Sequence, residues 1–438
     1  MSTDFTPDPV PLLQALIRFD TRNPPGNEAE AAAWARRLLS EGGIQSTILA
    51  RHPDRPNLIA RLEGRGDAPP LLLFGHLDVV GTADQRWQQS PFGGELLDGQ
   101  IWGRGALDMK SGIAMLLAAC LRVKTENTPL AGDVILALLA DEEMGSDYGA
   151  NFLVEEHPGL FEGVRYAISE FGGFSYPFTG QRLYPIMVCE KQICHLRAIV
   201  RGPAGHGSLN WRGGTMARLA SFLEALDRNR LPIHITPPLR LMVEDLSEAL
   251  PGPVGMAVRN ILVPRLAGPI LASLGESGLI LESLLRNTVT PTMIQGGEQI
   301  NVIPSEIHIG LDGRLLPGFT PQDLLAEIRA ITGDDVEFIV ERHDPGREDV
   351  DMELFPMLSE IIRQADPESC PFPLLLPGVS DARFFARIGI QTYGFIPMKL
   401  PPEFEFMRLV HAADERIPAE AVHFGAHAIF QALVNYRL

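Results

Sequence analysis

Apolar positions recur every three to four residues over 9–19 and 27–41, which predicts two amphipathic helices. The second would open with Asn27 as its cap and stop at Gly42 and Gly43. Short apolar runs then predict strands over 44–50, 57–62 and 71–74, a buried helix over 111–124 and a strand over 133–140. A helix over 148–156 and a strand over 166–169 follow. Alternation of this kind predicts an α/β fold whose sheet is covered by helices on both faces.

The pattern then changes. Residues 192–201 alternate like a half-exposed strand and 214–228 read as a helix. Residues 290–295 and 302–315 read as strands, 320–331 as a helix and 336–340 as a strand. The order β-α-β-β-α-β is that of a ferredoxin-like α+β unit. Residues 231–287, rich in Pro, Leu and Gly, interrupt it and are too long for an ordinary connection; they predict a lid-like insertion with short helices of its own. Beyond about residue 352 helix and strand alternate again. The expected division is a first α/β part over 1–188, an inserted domain over 189–345 and a second α/β part over 346–438.

Composition narrows the function classes. The 438 residues are 45% hydrophobic and 21% charged, as in ordinary globular proteins and unlike disordered chains. Acids outnumber Lys and Arg by 55 to 37, a net charge of -18, which argues against a nucleic-acid or anionic-membrane partner. Cys120, Cys189, Cys194 and Cys370 form no CxxC pair, so neither a disulfide framework nor a thiolate zinc site is expected, and all four read as small buried hydrophobes. The start MSTDFTPDPVPLLQ has no basic stretch ahead of an apolar one, and the apolar runs are too short or too interrupted to span a bilayer, so a cytoplasmic location is expected.

Candidate chemistry sits where apolar runs end. LALLADEEMGS, residues 136–146, stops in Asp141, Glu142 and Glu143. Alone, a solvated turn or the acidic first turn of a helix accounts for it. LLLFGHLDVV places His76 and Asp78 two apart, on one side of an extended segment, where the Asp78 carboxylate could hold the imidazole. GRGALDMKSG lacks the residue order of a phosphate loop; its Asp108 either caps the next helix or gives one oxygen to each of two cations. AISEFGG brings Glu170 and LVHAADERI brings His411. Such a nitrogen and oxygen set suits zinc, cobalt or manganese. All five stretches are expected at the carboxyl ends of strands, where open α/β sheets bind ligands.

GHLDVV, WQQSPFGGELLDGQIWGRGALDMKSG and LLADEEMGS together resemble the two-zinc metallohydrolase family of acetylornithine deacetylase, succinyl-diaminopimelate desuccinylase, bacterial glutamate carboxypeptidase and the aminoacylases. The likeness runs from about residue 9 to the C-terminus. It implies a zinc-peptidase-like catalytic domain in two parts and an inserted dimerisation domain. Asp108 would bridge two divalent metal ions, zinc first, with Glu143 and His411 on one and His76 and Glu170 on the other. Glu142 would be the general base and Asp78 the residue that orients His76. Two divalent cations balance three carboxylates and a bridging hydroxide, which lowers the cost of burial. In the implied mechanism, metals roughly 3.5 Å apart activate a shared water; Glu142 takes its proton and passes it to the departing amide nitrogen.

In the inserted domain, His206 in GPAGHGSLNWRGG matches the family histidine that stabilises the oxyanion from a neighbouring subunit, and the resemblance allows a homodimer. Asn301 in GGEQINVIPSE, Arg314 in LDGRLLPG, and Ser380 and Asp381 in GVSDARFF match positions near the substrate; an arginine fork suits a carboxylate. The chain departs from the family pattern at Ala412 and Asp414, where Gly and Asn are usual. Its long insertion is similar to those of carboxypeptidase-like and fatty-acyl-amino-acid hydrolases. The implied activity is hydrolysis of the amide of an N-acyl-amino acid or of a C-terminal peptide bond, the apolar insertion favouring an aliphatic or aromatic acyl group over acetyl or succinyl. Two alternatives stand beside it: a dipeptidase or carboxypeptidase on unblocked peptides, and a silent metal or amino-acid binder, which would have no use for Glu142.

Overall fold

The computed structural model describes residues 7–209 and 212–437. The chain forms two compact units: Met1–Val188 with Val350–Leu374 and Ser380–Leu438, and Cys189–Asp349 with Leu375–Val379.

The first unit is built on a mixed sheet with helices, as the apolar alternation predicts. Its four central strands run parallel in the order Val134–Leu139, Leu71–His76, Tyr166–Ser169, Gln391–Gly394. Every residue of these strands is buried, so both faces of the sheet are covered. Antiparallel strands Asn57–Leu62 and Ser46–Leu49 extend it on one side. Helix Lys110–Thr125, apolar almost all round, packs against Ala419–Asn435 and Pro9–Arg18. A helix buried on every side needs apolar residues at nearly every position, and SGIAMLLAACL supplies them. Each fully buried leucine here contributes about 1.5–3 kcal/mol.

Three local expectations change. The second helix is Ala29–Glu41 with Glu28, not Asn27, at its N-cap; the Glu28 carboxylate caps nothing because Arg55 takes both its oxygens, at 2.7 and 3.0 Å. The strand expected over 71–74 runs on to His76, so the histidine belongs to the sheet. Cys120, Cys189 and Cys194 are buried, whereas Cys370 is only half-buried.

The second unit carries a four-stranded antiparallel sheet in the order Thr288–Gln295, Glu306–Leu315, Gln192–Arg201, Val336–Asp344. With helices Thr215–Arg228 and Pro321–Thr332 it has the ferredoxin-like order. Alternate residues of the second strand, Ile307, Ile309 and Leu311, face a core shared with Leu196, Phe222, Leu324 and Ile328. The strand expected over 302–315 is broken: Val302–Ile303 pairs instead with Gly205–His206, because Pro304 has no N–H to give a ladder. The insertion holds helices Pro237–Ala249, Gly252–Arg259, Pro264–Ser273 and Glu276–Leu284. No helix among the described residues is long and apolar enough to cross a membrane.

Candidate metal centre

Three neighbouring parallel strands deliver acids and a histidine at their carboxyl ends. His76 ends Leu71–His76. Beyond Val134–Leu139, Asp141 takes a left-handed φ of 72° and turns the chain into a 3-10 turn, Glu142–Met144. Glu170 follows Tyr166–Ser169. Asp108 lies just ahead of helix Lys110–Thr125, and His411, with φ 62°, follows helix Phe406–Leu409.

These residues converge into two overlapping triads. His76 Nε2 stands 3.1 Å from Asp108 Oδ1 and 3.3 Å from Glu170 Oε2. His411 Nε2 stands 3.1 Å from Asp108 Oδ2 and 3.4 Å from Glu143 Oε1. Within each triad, His76–Asp108–Glu170 and Asp108–Glu143–His411, the candidate ligand atoms lie within 4.8 Å of one another. Asp108 therefore turns one oxygen to each triad, the geometry of a bridge and not of a helix cap. Glu143 Oε1 is buried and accepts no hydrogen bond among the described residues. An orphaned buried carboxylate oxygen is costly unless a cation completes it. The oxygen and nitrogen donors fit two divalent cations.

The electrostatics show how much positive charge the cluster calls for. Burial pushes Glu170 up to about 8, although His76 opposes it. Burial, then the nearby Glu170, raises Glu142 well above the ordinary carboxylate range. His411 is pushed up to about 10 by the Asp108 and Glu143 carboxylates that face its Nε2. Burial lowers His76, but the charges of Glu170 and Asp108 outweigh it and raise the imidazole well above its usual value. Carboxylates that hold protons and histidines that gain them are doing by protonation what cations would do by charge. An apolar cavity of about 20 Å³, lined by Phe171, Phe174, Met398 and Phe406, adjoins Asp108 and Glu170 and has room for little more than one water.

The supporting shell differs from expectation at two acids. His76 Nδ1 lies 2.9 Å from the backbone carbonyl of Asp78 and 3.6 Å from its carboxylate, so the carbonyl orients the ring and leaves Nε2 to the cluster. The Asp78 carboxylate instead accepts the backbone N–H groups of Glu142 and Glu143, each at 3.1 Å. Asp141 is no solvated turn residue: it is 4% exposed, and its carboxylate accepts from Asn23, Arg55 and the Tyr148 N–H. Ser380 and Asp381 are buried in the same unit. Asp381 Oδ1 accepts from the Ser146 hydroxyl, and burial pushes its carboxyl up to about 6.

Sequence reasoning missed three residues here. Arg383, inside the quoted GVSDARFF, puts Nη1 3.9 Å from Glu142 Oε1 and Nη2 3.3 Å from Ser146 Oγ. Arg104 and Glu415, both within quoted motifs, form a buried pair that grips the loops carrying Asp108 and His411. Asp414 fills the position where the family has Asn. It too takes a left-handed φ, 61°, and its carboxylate holds Gln88 through the backbone and side-chain nitrogens.

In the second unit, His206 and Asn301 meet on the small two-stranded ribbon, where Gly207 N donates to Asn301 O at 2.9 Å. His206 is exposed, with Nδ1 2.7 Å from Ser208 Oγ. Arg314 lies on the half-buried face of the four-stranded sheet, its fork taken by Asp312 at 2.8 and 3.2 Å.

The model of peptidase family M20/M25/M40 matches residues 72–435. The chain is 27% identical over 421 residues to the N-fatty-acyl-amino acid synthase/hydrolase PM20D1 of Bos taurus, covering 93% of this chain and 82% of that protein. It is 41% identical over 152 residues to a succinyl-diaminopimelate desuccinylase of Cereibacter sphaeroides, covering 34% of this chain and 38% of that one. A crystal structure of an M20 family metallo-carboxypeptidase from Sulfolobus solfataricus superposes with a TM-score of 0.71 at 16% identity, covering 98% of this chain and 99% of that one.

Proposed function

The chain belongs to peptidase family M20/M25/M40, and from that premise we propose that it is a binuclear metal amidohydrolase that cleaves N-acyl-amino acids bearing an aliphatic or aromatic acyl group. The observation that carries the reading is the pair of triads sharing Asp108, with Glu142 beside them. The long helical insertion and the extended match to an N-fatty-acyl-amino acid hydrolase support the acyl class.

His76, Asp108 and Glu170 would hold one cation and Asp108, Glu143 and His411 the other, zinc being the first candidate. When bound, the cations supply the Lewis acidity that makes water a nucleophile near neutral pH. The chain's own work is proton transfer and positioning. Glu142, adjacent in sequence to a ligand and not itself in either triad, takes the proton of the attacking water and returns it to the leaving nitrogen. Burial beside Glu170 raises its proton affinity, which suits a group that must accept and then release a proton. The charge of His76 limits that rise, and Arg383 Nη1 lies 3.9 Å from the same carboxylate. His206, Asn301 and Arg314 carry over from the family as oxyanion and substrate contacts, and Arg314 would trade Asp312 for a substrate carboxylate.

The test is hydrolysis of N-acyl-amino acids of rising acyl length by zinc- or cobalt-loaded protein, with unblocked dipeptides alongside. We expect kcat/KM to rise with acyl length. Highest kcat/KM on acetyl substrates would refute the acyl class, and turnover of dipeptides alone would refute the reaction. Glu142→Gln should keep both metals and lose about 10²–10⁴-fold in kcat.

A further inference from the structure

The catalytic turn is held by a chain of buried polar groups that the reaction itself does not use. Asn23 Nδ2 donates to Asp78 Oδ2 at 2.8 Å and to Asp141 Oδ1 at 2.9 Å, so a single amide group joins two buried carboxylates. Asp78 in turn accepts the N–H groups of Glu142 and Glu143. Asp141 starts that turn in the left-handed conformation and is braced from behind by Arg55, at 2.9 Å, which also grips Glu28. All five are buried: Glu28 0%, Asp78 0%, Asp141 4%, Asn23 5%, Arg55 6%.

Two buried carboxylates side by side repel each other, and a donor between them that bonds to both offsets that repulsion. An amide NH2 has two hydrogens and no charge, so it can bind both without adding to the charge balance of the centre. The loop that carries Asn23 is zipped to the strand end: Asn23 N donates to Val79 O at 2.8 Å and Thr21 Oγ1 to Leu77 O at 2.7 Å. We infer that Asn23 is a positioning residue for turnover. Its amide ties Asp78 to Asp141, and through them fixes the backbone that aims Glu142 at the water and Glu143 at the metal. The inference rests on the roles given above to Glu142 and Glu143.

The test compares Asn23→Ala and Asp141→Ala, singly and combined, in the full chain, with the near-isosteric Asn23→Leu beside them. Hydrogen exchange of the Glu142 and Glu143 amides is measured in metal-free protein, and kcat, KM and metal content in zinc-loaded protein. The tie predicts at least tenfold faster exchange at both amides and kcat lower by about 10–100-fold. KM should stay within about threefold and two metals should remain bound. The combined variant should be no slower than the slower single, because one tie is broken from either end. Unchanged exchange at these amides, kcat within twofold of wild type, or losses that multiply in the combined variant would each overturn it. Asn23→Leu, which removes the donor and keeps the volume, carries the test alone if Asn23→Ala does not fold. A wild type that turns over none of the substrates counts against the proposed function, while the exchange measurement still decides the tie.

Discussion

Glu415→Gln exposes how the metal-site loops are held. Glu415 is fully buried, and its Oε1 accepts Leu107 N at 2.7 Å and Asp108 N at 3.3 Å while Oε2 pairs with Arg104. Arg104 reaches across with Nη2 to His411 O at 3.1 Å and Gln85 Oε1 at 2.8 Å. One ion pair therefore pins the backbones of the proposed bridging ligand and of a ligand on the far loop. The glutamine keeps an acceptor for Leu107 but leaves a buried guanidinium unpaired, a loss of about 3–5 kcal/mol. At about 2 °C per kcal/mol, the low end suited to a large unit, melting should fall by roughly 6–10 °C. Competition with a chelator should show cation affinity weaker by about 10–100-fold. Arg104→Met/Glu415→Gln, which removes the stranded charge as well, should melt closer to wild type than Glu415→Gln alone. A single variant within 2 °C of wild type with unchanged affinity, or a double variant whose losses simply add, would refute the reasoning.

Three further outcomes follow from other parts of the first unit. Burial raises the Asp366 carboxyl, but hydrogen bonds from Arg182, Tyr184 and Lys399 outweigh it and hold it below its usual 3.8. The stability it contributes is present above pH 3.8 and lost as pH falls through the lower folded value. Asp366→Asn should thus melt lower than wild type by about 1.5–3 kcal/mol from pH 5 to 8 in calorimetry, and the gap should close below pH 4. Chelation should lower the melting temperature, because Asp108, Glu143 and Glu170 lose their counter-charge; at 100-fold excess of cation over Kd each site contributes about 2.7 kcal/mol, and no shift on chelation would count against a cation there. Gly149→Ala would place a Cβ 1.9 Å from the Ala140 carbonyl oxygen, and urea denaturation should show at least about 2 kcal/mol lost.

The sequence by itself marked most of the elements and, with the family resemblance, the acids and histidines that converge in the first unit. Strands such as Asn57–Leu62 and Tyr166–Ser169 end where their apolar runs end, because burying a continuous apolar segment is a local property of those residues. His76, the Asp141–Glu143 cluster and Glu170 stood out because charged residues at the mouths of buried strands call for a reason, whereas Asp108 and His411, which lie beside helices, and the choice of Glu143 came from the family resemblance. The division of labour among the remaining polar residues was decided only by the tertiary structure. Asp141 was indistinguishable from a solvated acid until Asn23, 118 positions away, and Arg55, 86 positions away, closed on it. Glu415 lies 311 residues from Arg104, and nothing in LVHAADERI announces that its glutamate grips the Asp108 loop. Asp78 shows the same limit at short range: the spacing put it beside His76, yet whether its carbonyl or its carboxylate meets the ring depends on where Glu142 and Glu143 come to rest. Apolar burial is additive and nearly blind to partners, so it can be read along the chain. A buried hydrogen bond needs one particular donor at one distance, and the chain supplies it from wherever the fold brings it.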